Sequence, residues 1–240
     1  MADTDTSRHQ RGKEPRPPAR EAKELHFFPG EKRLLYVHEG RLILNVEAWG
    51  GPRYKMPKRP GEKFGAAPTT PGRFRIGWIG QYLTPTWPAS RIPWGTRLRP
   101  DPNNDRDVLY ETGPGRWRSV FKTTGRTIED IKDMAEDLVH VRKVPDTWVF
   151  NDFGPIAIRY YVDKNNNRKR DPSEPLSGEM FHTTPDNEMD PSAGLAPSHG
   201  CIHLRPIDRS RLSNSGGFAL GTLLVIHDYG ETSGVRPGPQ

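Results

Sequence analysis

"SHGCIH", residues 198–203, holds the single cysteine of the chain, Cys201, with His199 on one side and His203 on the other. A lone cysteine is most often a small, inert core residue, and one cysteine alone can form neither an internal disulfide nor a CxxC pair. The neighbours point elsewhere. A reactive thiol needs a nearby base or N–H donors that favour its thiolate. Gly200 lets the backbone approach a substrate closely, and successive amides there can stabilise an oxyanion. Upstream, "EMFHTTPD" (residues 179–186) ends a short apolar run on His182, and the Pro-, Gly- and Asp-rich segment between can loop back to bring that strand end to the cysteine. A Cys201–His182 pair follows. Zinc is the rival reading, because His182, His199, Cys201 and His203 are all ligand types. Against it, His199 and Cys201 are spaced too closely for a common structural site, and no Glu stands on a helix as a catalytic base. Packing alone is the third reading for His199 and His203.

Outward from this centre the pattern is mainly β. "RLLYVHEGRLILNVEAW" (residues 33–49) is two β-favouring runs around Glu39 and Gly40, a hairpin signal. In "FGAAPTTPGRFRIGWIG" (residues 64–80), Pro71 and Gly72 suit a turn, and Phe74, Ile76 and Trp78 alternate with Arg73, Arg75 and Gly77 as in a half-buried strand. Residues 81–106, with Trp87, Trp94 and several prolines but little periodicity, read as an elaborated loop able to line a groove. "DVLYETGPGRWRSVFK" (residues 107–122) reads as a hairpin turning at Thr112–Gly115. One clear helix is "TIEDIKDMAEDLVHVRK" (residues 127–143), capped by Thr127 with Asp130 three residues on; Ile128, Ile131, Ala135, Leu138 and Arg142 share helical spacing, and Pro145 marks the end. "TWVF", "PIAIRYYV" and "GTLLVIHDY" read as further strands.

The 25 prolines and 24 glycines exclude a long helical bundle and predict many turns. Net charge is +6 with a pI near 9.5, which favours anionic partners. The basic residues, however, are mixed with acids along the chain, and no zinc-finger spacing or aromatic RNA-binding motif accompanies them, so no nucleic-acid partner is expected. No apolar run is long enough for a transmembrane segment, and the first residues lack the apolar core of a signal peptide, so any export follows another route or a signal not contained here. Residues 1–24 read as a disordered polar arm, 25–230 as the catalytic domain and 231–240 as a flexible tail.

A separate motif is "DKNNNRKRDPSE" (residues 163–174), where Asp163, Asn165, Asn167, Asp171 and Glu174 fall on the oxygen-ligand positions of a calcium loop. Arg168 stands where such loops need Gly, and the basic residues inside oppose a cation. A polar hairpin tip is the favoured reading, with a structural calcium as the alternative; no other cofactor is required.

His182, a spacer, and Ser198-His199-Gly200-Cys201 resemble the hallmark of the L,D-transpeptidase catalytic domain of the YkuD type. The likeness extends over most of residues 33–228: "LLYVHEGRLILNV" is similar to that family's opening hairpin, "GAAPTTPGRFRIG" to its Thr-Pro-x-Gly-x-Phe segment and "LGTLLVI" to its closing strand. The resemblance implies a mostly β fold, a β-sandwich with one or two helices and long inserted loops. It implies Cys201 as nucleophile, His182 as general base and the Thr183 carbonyl orienting the imidazole. It further implies an oxyanion hole of the His199, Gly200 and Cys201 amides, with Ser198 and His199 shaping the pocket. Two departures stand out. His203 occupies the position where the family usually has Arg or Asn, with Arg205 a shifted substitute for holding a substrate carboxylate. The material at 81–126 and the insertion at 163–177 remodel the cleft.

What the resemblance implies is peptidoglycan L,D-transpeptidation, in which Cys201 is acylated by a tetrapeptide stem and the terminal D-alanine leaves. Water as acceptor would make the chain an L,D-carboxypeptidase. A wall-damaging effector of the same chemistry, with an immunity protein as partner, and a catalytically silent wall-binding module are the further readings. Peptidoglycan stem peptides are the expected partners, and the periplasm or cell wall the expected place of action.

Overall fold

The computed structural model describes residues 21–58 and 65–235. Residues 1–20 of the expected arm at 1–24 and residues 236–240 of the expected tail at 231–240 lie outside the described residues. Leu25 and Phe27 alternate with Glu24 and His26 to build β1 (Lys23–Phe28), which starts within the stretch read as arm. β2 (Arg33–His38) and β3 (Arg41–Trp49) form the expected hairpin. Glu39 and Gly40 carry φ of 49° and 76°, the mirror-image turn geometry that matches strand twist.

β4 (Gly72–Gly80) places Phe74 and Ile76 in the core as the alternation predicts. Arg75, expected outward, is buried instead: its guanidinium meets Glu21 at 2.8 Å and Asp163 at 2.7 Å and donates to the Gly221 carbonyl at 3.0 Å. A buried charge is tolerable only with such partners.

The stretch from 81 onward is more than a loop. It carries a 3-10 turn at Pro88–Arg91 and then β5 (Leu98–Asp101), β6 (Asn104–Gly113) and β7 (Arg116–Ser119), a separate antiparallel sheet. α1 (Val120–Thr124) and α2 (Ile128–Val139) pack on it, and Ile92, Leu98, Val108, Val120, Ile131 and Trp148 form a second core. The capping box of Thr127 and Asp130 is present. α2 stops before Pro145: His140 takes φ 57° and ends it, and Arg142, expected on the helix, lies beyond it and pairs with Glu129, Asp133 and Glu136. "TWVF" is not a strand; Thr147 makes one isolated bridge to Arg97, and Trp148 is buried with its indole N–H on the Ala89 carbonyl at 2.9 Å.

β8 (Ala157–Tyr161), β9 (Leu176–His182), α3 (Pro185–Met189), β10 (Ile202–Leu204), α4 (Pro206–Asn214) and β11 (Leu223–Ile226) complete the order. The main sheet runs β1-β11-β4-β8-β9-β10-β3-β2 and closes on itself. The fold is sheet-rich as expected, and the layers of the expected sandwich are joined at both edges into a closed barrel, which leaves no unpaired edge. Of the helices, α2 and α4 run 12 and 9 residues and α1 and α3 only 5 each. Two pairings are parallel, β1 with β11 and β9 with β10. The second sets the site, because it lays the chain leading to Cys201 beside the strand ending at His182.

In the 163–174 loop, Asp163 accepts the Asn167 and Arg168 amides besides the Arg75 guanidinium, and buried Glu174 accepts the Lys164 and Asp171 amides at 2.7 and 2.9 Å. Arg168 takes the positive φ, 65°, at the place where Gly is usual. At the other end, residues 231–235 are tied down: the Ser233 hydroxyl donates to Glu31 at 2.6 Å and Arg33 donates to the Val235 carbonyl. Among the described residues no helix is long and apolar enough to cross a membrane.

Candidate active site

A cavity of about 810 Å³ opens where the end of β9 and the segment leading into β10 face residues 82–87 and 152–153. Cys201, His182, Ser198, His199 and His203 line it, together with Tyr82, Trp87, Asp152, Phe153, Glu179 and Met180. The parallel register sets Ile202 against Phe181 and His203 against His182, so the residues just before β10 run alongside the end of β9.

The His182 ring is held on three sides. Its Nδ1 lies 2.8 Å from the Thr183 carbonyl. A carbonyl only accepts, so Nδ1 carries the proton and Nε2 keeps a lone pair. Phe153 packs edge-on at 5.0 Å and His203 at 4.7 Å between ring centroids. Burial lowers the His182 pKa from 6.5 to about 3, helped by His203 and opposed by the bond to Thr183. Cys201 is partly open to the cleft, yet protein packs closely around its sulfur. Burial raises the thiol pKa to about 11, opposed by a hydrogen bond from the Met180 backbone and reinforced by the Glu179 carboxylate. The resting pair is therefore a neutral thiol and a neutral imidazole, which suits proton transfer during attack rather than a standing ion pair.

Thr183 is fully buried behind His182, with its carbonyl where the orienting role requires it. Ser198 shapes the loop: its amide donates to the Gly50 carbonyl at 3.1 Å and its hydroxyl to the Cys201 carbonyl, while the Gly200 amide donates to the Ser198 hydroxyl at 3.0 Å. That last bond engages one of the three amides expected in the oxyanion hole. Gly200 itself sits at φ 127°, a conformation open to Gly and costly for other residues. His203 turns Nδ1 to the Ala196 carbonyl at 2.9 Å, and its pKa is lowered by burial. Arg205 does not reach the cleft; it donates to the Ala193 carbonyl at 2.9 Å and meets Glu47 at 3.2 Å. It is not a substitute carboxylate clamp. As for zinc, no three or more His, Cys, Asp or Glu side chains are arranged to hold a metal ion among the described residues.

The family model for the L,D-transpeptidase catalytic domain, YkuD, matches residues 23–214, which include the barrel from β1 through α4 and both His182 and Cys201. The chain belongs to the YkuD family. No curated protein matches it. Among solved structures, the L,D-transpeptidase of Xylanimonas cellulosilytica is 12% identical over 88% of this chain and 63% of that one, with a TM-score of 0.39. Bdellovibrio bacteriovorus Bd1075 is 15% identical over 89% and 50%, at 0.40, and Mycobacterium tuberculosis L,D-transpeptidase 1 is 10% identical over 86% and 62%, at 0.32. This chain thus spans between 50% and 63% of the length of those structures.

Several site features of this YkuD domain carry no local sequence signal. Phe153 and Met180 reach His182 and Cys201 only through the tertiary fold. Asp152 is half-buried in the cleft wall, accepts the Ser90 hydroxyl at 2.6 Å and has its pKa raised by burial. Glu179 is a strut, taking the Thr70 hydroxyl at 2.7 Å and the Tyr160 hydroxyl at 3.0 Å. Trp87, singled out as a groove-lining aromatic, stands 6.2 Å from the His199 ring.

Proposed function

We propose that this YkuD domain is a peptidoglycan L,D-transpeptidase working through a Cys201 acyl-enzyme. The observation that carries the reading is the His182 ring, with Nδ1–H committed to the Thr183 carbonyl and the Nε2 lone pair left in the cleft that Cys201 lines. Nε2 takes the thiol proton as Sγ attacks the carbonyl of the third stem residue. The tetrahedral oxyanion is met by the Cys201 amide. Collapse breaks the bond to the terminal D-alanine, whose amine leaves with the proton from His182, and a thioester remains. An acceptor amine then attacks the thioester, gives its proton to His182, and Sγ departs to recover the thiol.

Water as acceptor would give the L,D-carboxypeptidase. The charge of the cleft favours the amine: Asp152, Glu179 and Asp186 line it and no Lys or Arg does, Arg126 and Arg159 acting only from behind the wall, in a chain of net charge +6. Among the described residues none of the three carboxylates is in an ion pair, so the cleft attracts an ammonium-bearing acceptor. On this reading the partners are stem peptides and the place of action is the periplasm or cell wall. Use as a wall-damaging effector, with an immunity protein as partner, would require the same chemistry.

The test is mass spectrometry of purified tetrapeptide muropeptides incubated with the protein and with Cys201→Ala. A cross-linked dimer with loss of D-alanine, dependent on Cys201, is expected. Loss of D-alanine without a dimer would replace the transpeptidase by the carboxypeptidase. No reaction, with sacculus binding retained and no carbapenem adduct on Cys201, would replace both by the silent binding module.

A further inference from the structure

Thr183 touches the candidate base through its backbone, and its side chain is held from behind by residues outside the cleft. The Thr183 hydroxyl donates to Glu188 at 2.5 Å, and Arg209 donates to that hydroxyl at 3.3 Å and to the same Glu188 oxygen. The three groups close a ring. Both charged side chains are largely buried, at 11% and 13% exposure, and none of the three lines the cavity.

The ring joins the two elements that follow the candidate catalytic residues. Glu188 lies on α3, directly after the strand that ends at His182, and Arg209 lies on α4, directly after the strand that follows Cys201. Gly154 shuts the remaining side: a Cβ there would stand 2.3 Å from the Thr183 hydroxyl, and its φ of 62° suits Gly. A threonine pinned at its hydroxyl by a buried ion pair has little freedom to rotate its peptide group. That peptide group carries the carbonyl that keeps the proton on His182 Nδ1.

We propose that Glu188 and Arg209 are positioning residues for His182, fixing through Thr183 the imidazole tautomer that leaves Nε2 free to take the Cys201 proton. The inference rests on His182 being the base of the proposed reaction. It asks more of the pair than fold stability: loosening the ring should change which ring nitrogen holds the proton.

Thr183→Val removes the hydroxyl and leaves the ion pair; Glu188→Gln keeps the shape and removes the charge. Each, checked for fold by circular dichroism, is expected to lower kcat on tetrapeptide about tenfold with KM nearly unchanged. The nitrogen-15 spectrum of His182 is expected to show Nδ1 protonated in the parent and a growing share of Nε2–H in both variants. An unchanged tautomer in the folded variants, or a rate loss that lies in KM alone, overturns the proposal. Should Glu188→Gln fail to fold, Thr183→Val decides by itself, since its buried pair is untouched. The ring signal needs no substrate, so a parent that turns over no stem peptide sinks the functional reading while the tautomer still decides this one.

Discussion

The 163–174 loop and the 182–203 segment both crowd ligand-type side chains into short stretches, and they dispose of them oppositely. In the loop, Asp163 and Glu174 accept backbone amides or Arg75 at all four carboxylate oxygens. In the segment, His182 makes one bond through Nδ1 and turns Nε2, with Cys201, to a cavity. The first uses its polar groups to hold a shape. The second leaves His182 Nε2 outside that bonding, on a residue that lines the cavity, as the proposed base requires.

The contrast breaks most directly at the pair itself. Cys201→Ala is expected to abolish turnover and acylation, and His182→Ala to lower turnover about a thousandfold, both with melting temperatures near or above the parent's. Full turnover in either folded variant, measured on tetrapeptide, would put the chemistry elsewhere.

Next in size is the effect of pH. The folded His182 pKa, about 3, lies below the ordinary 6.5, so the unfolded chain binds the proton first as pH falls. Stability linked to this ring is present above pH 6.5 and is lost toward about 3, by roughly 1.4 kcal/mol per pH unit. Cys201 works at the other end: its folded pKa, about 11 against 9.0, lets the unfolded chain ionise first, so stability falls as pH rises from 9.0 toward about 11. Urea unfolding across pH should show both slopes in the parent, the acid one reduced in His182→Ala and the alkaline one in Cys201→Ala. Parent slopes that persist unchanged in these variants would mean the pair titrates as it does in the unfolded chain.

How much of this was legible follows from how local each signal is. The hairpin turn at Glu39-Gly40, the capping box of α2 and the alternation of Phe74 and Ile76 act within a few residues, and all three are present in the structure. The motif around Cys201 and its neighbourhood with His182 in one cavity were likewise readable, because residue types and order carried them. The parallel closure of β1 on β11 joins the two ends of the barrel sequence and has no local mark. The same holds for the second core. Ile92 lies outside any strand and Leu98 on the four-residue β5, runs too short to show a period, and both join a cluster with α2 and Trp148. Arg75 obeyed the alternation on paper, yet Glu21 and Asp163, both distant in sequence, made its burial possible. Glu188 and Arg209 were invisible for that reason too.

The loop side of the comparison yields a smaller effect. Asp163→Asn weakens the pairing of buried Arg75 and should cost about 2 kcal/mol of stability with turnover unaltered, since the loop is not part of the cleft. A loss of turnover at unchanged stability would tie the loop to the site after all.

The smallest expected effect is that of calcium. To bind an ion through Asp163 and Glu174, the loop would have to give up the Asn167, Arg168, Lys164 and Asp171 amides and loosen Arg75 from Asp163. Lys164, Arg168, Lys169 and Arg170 also raise the local positive charge. A divalent cation gains little where N–H donors and guanidinium already serve the same oxygens. Adding millimolar calcium or a chelator should therefore move the melting temperature by no more than about a degree. A saturable rise of several degrees, lost in Asn167→Ala, would show instead that the loop exchanges its own donors for the ion. The two segments would then differ only in which ligand each keeps its oxygens and nitrogens for.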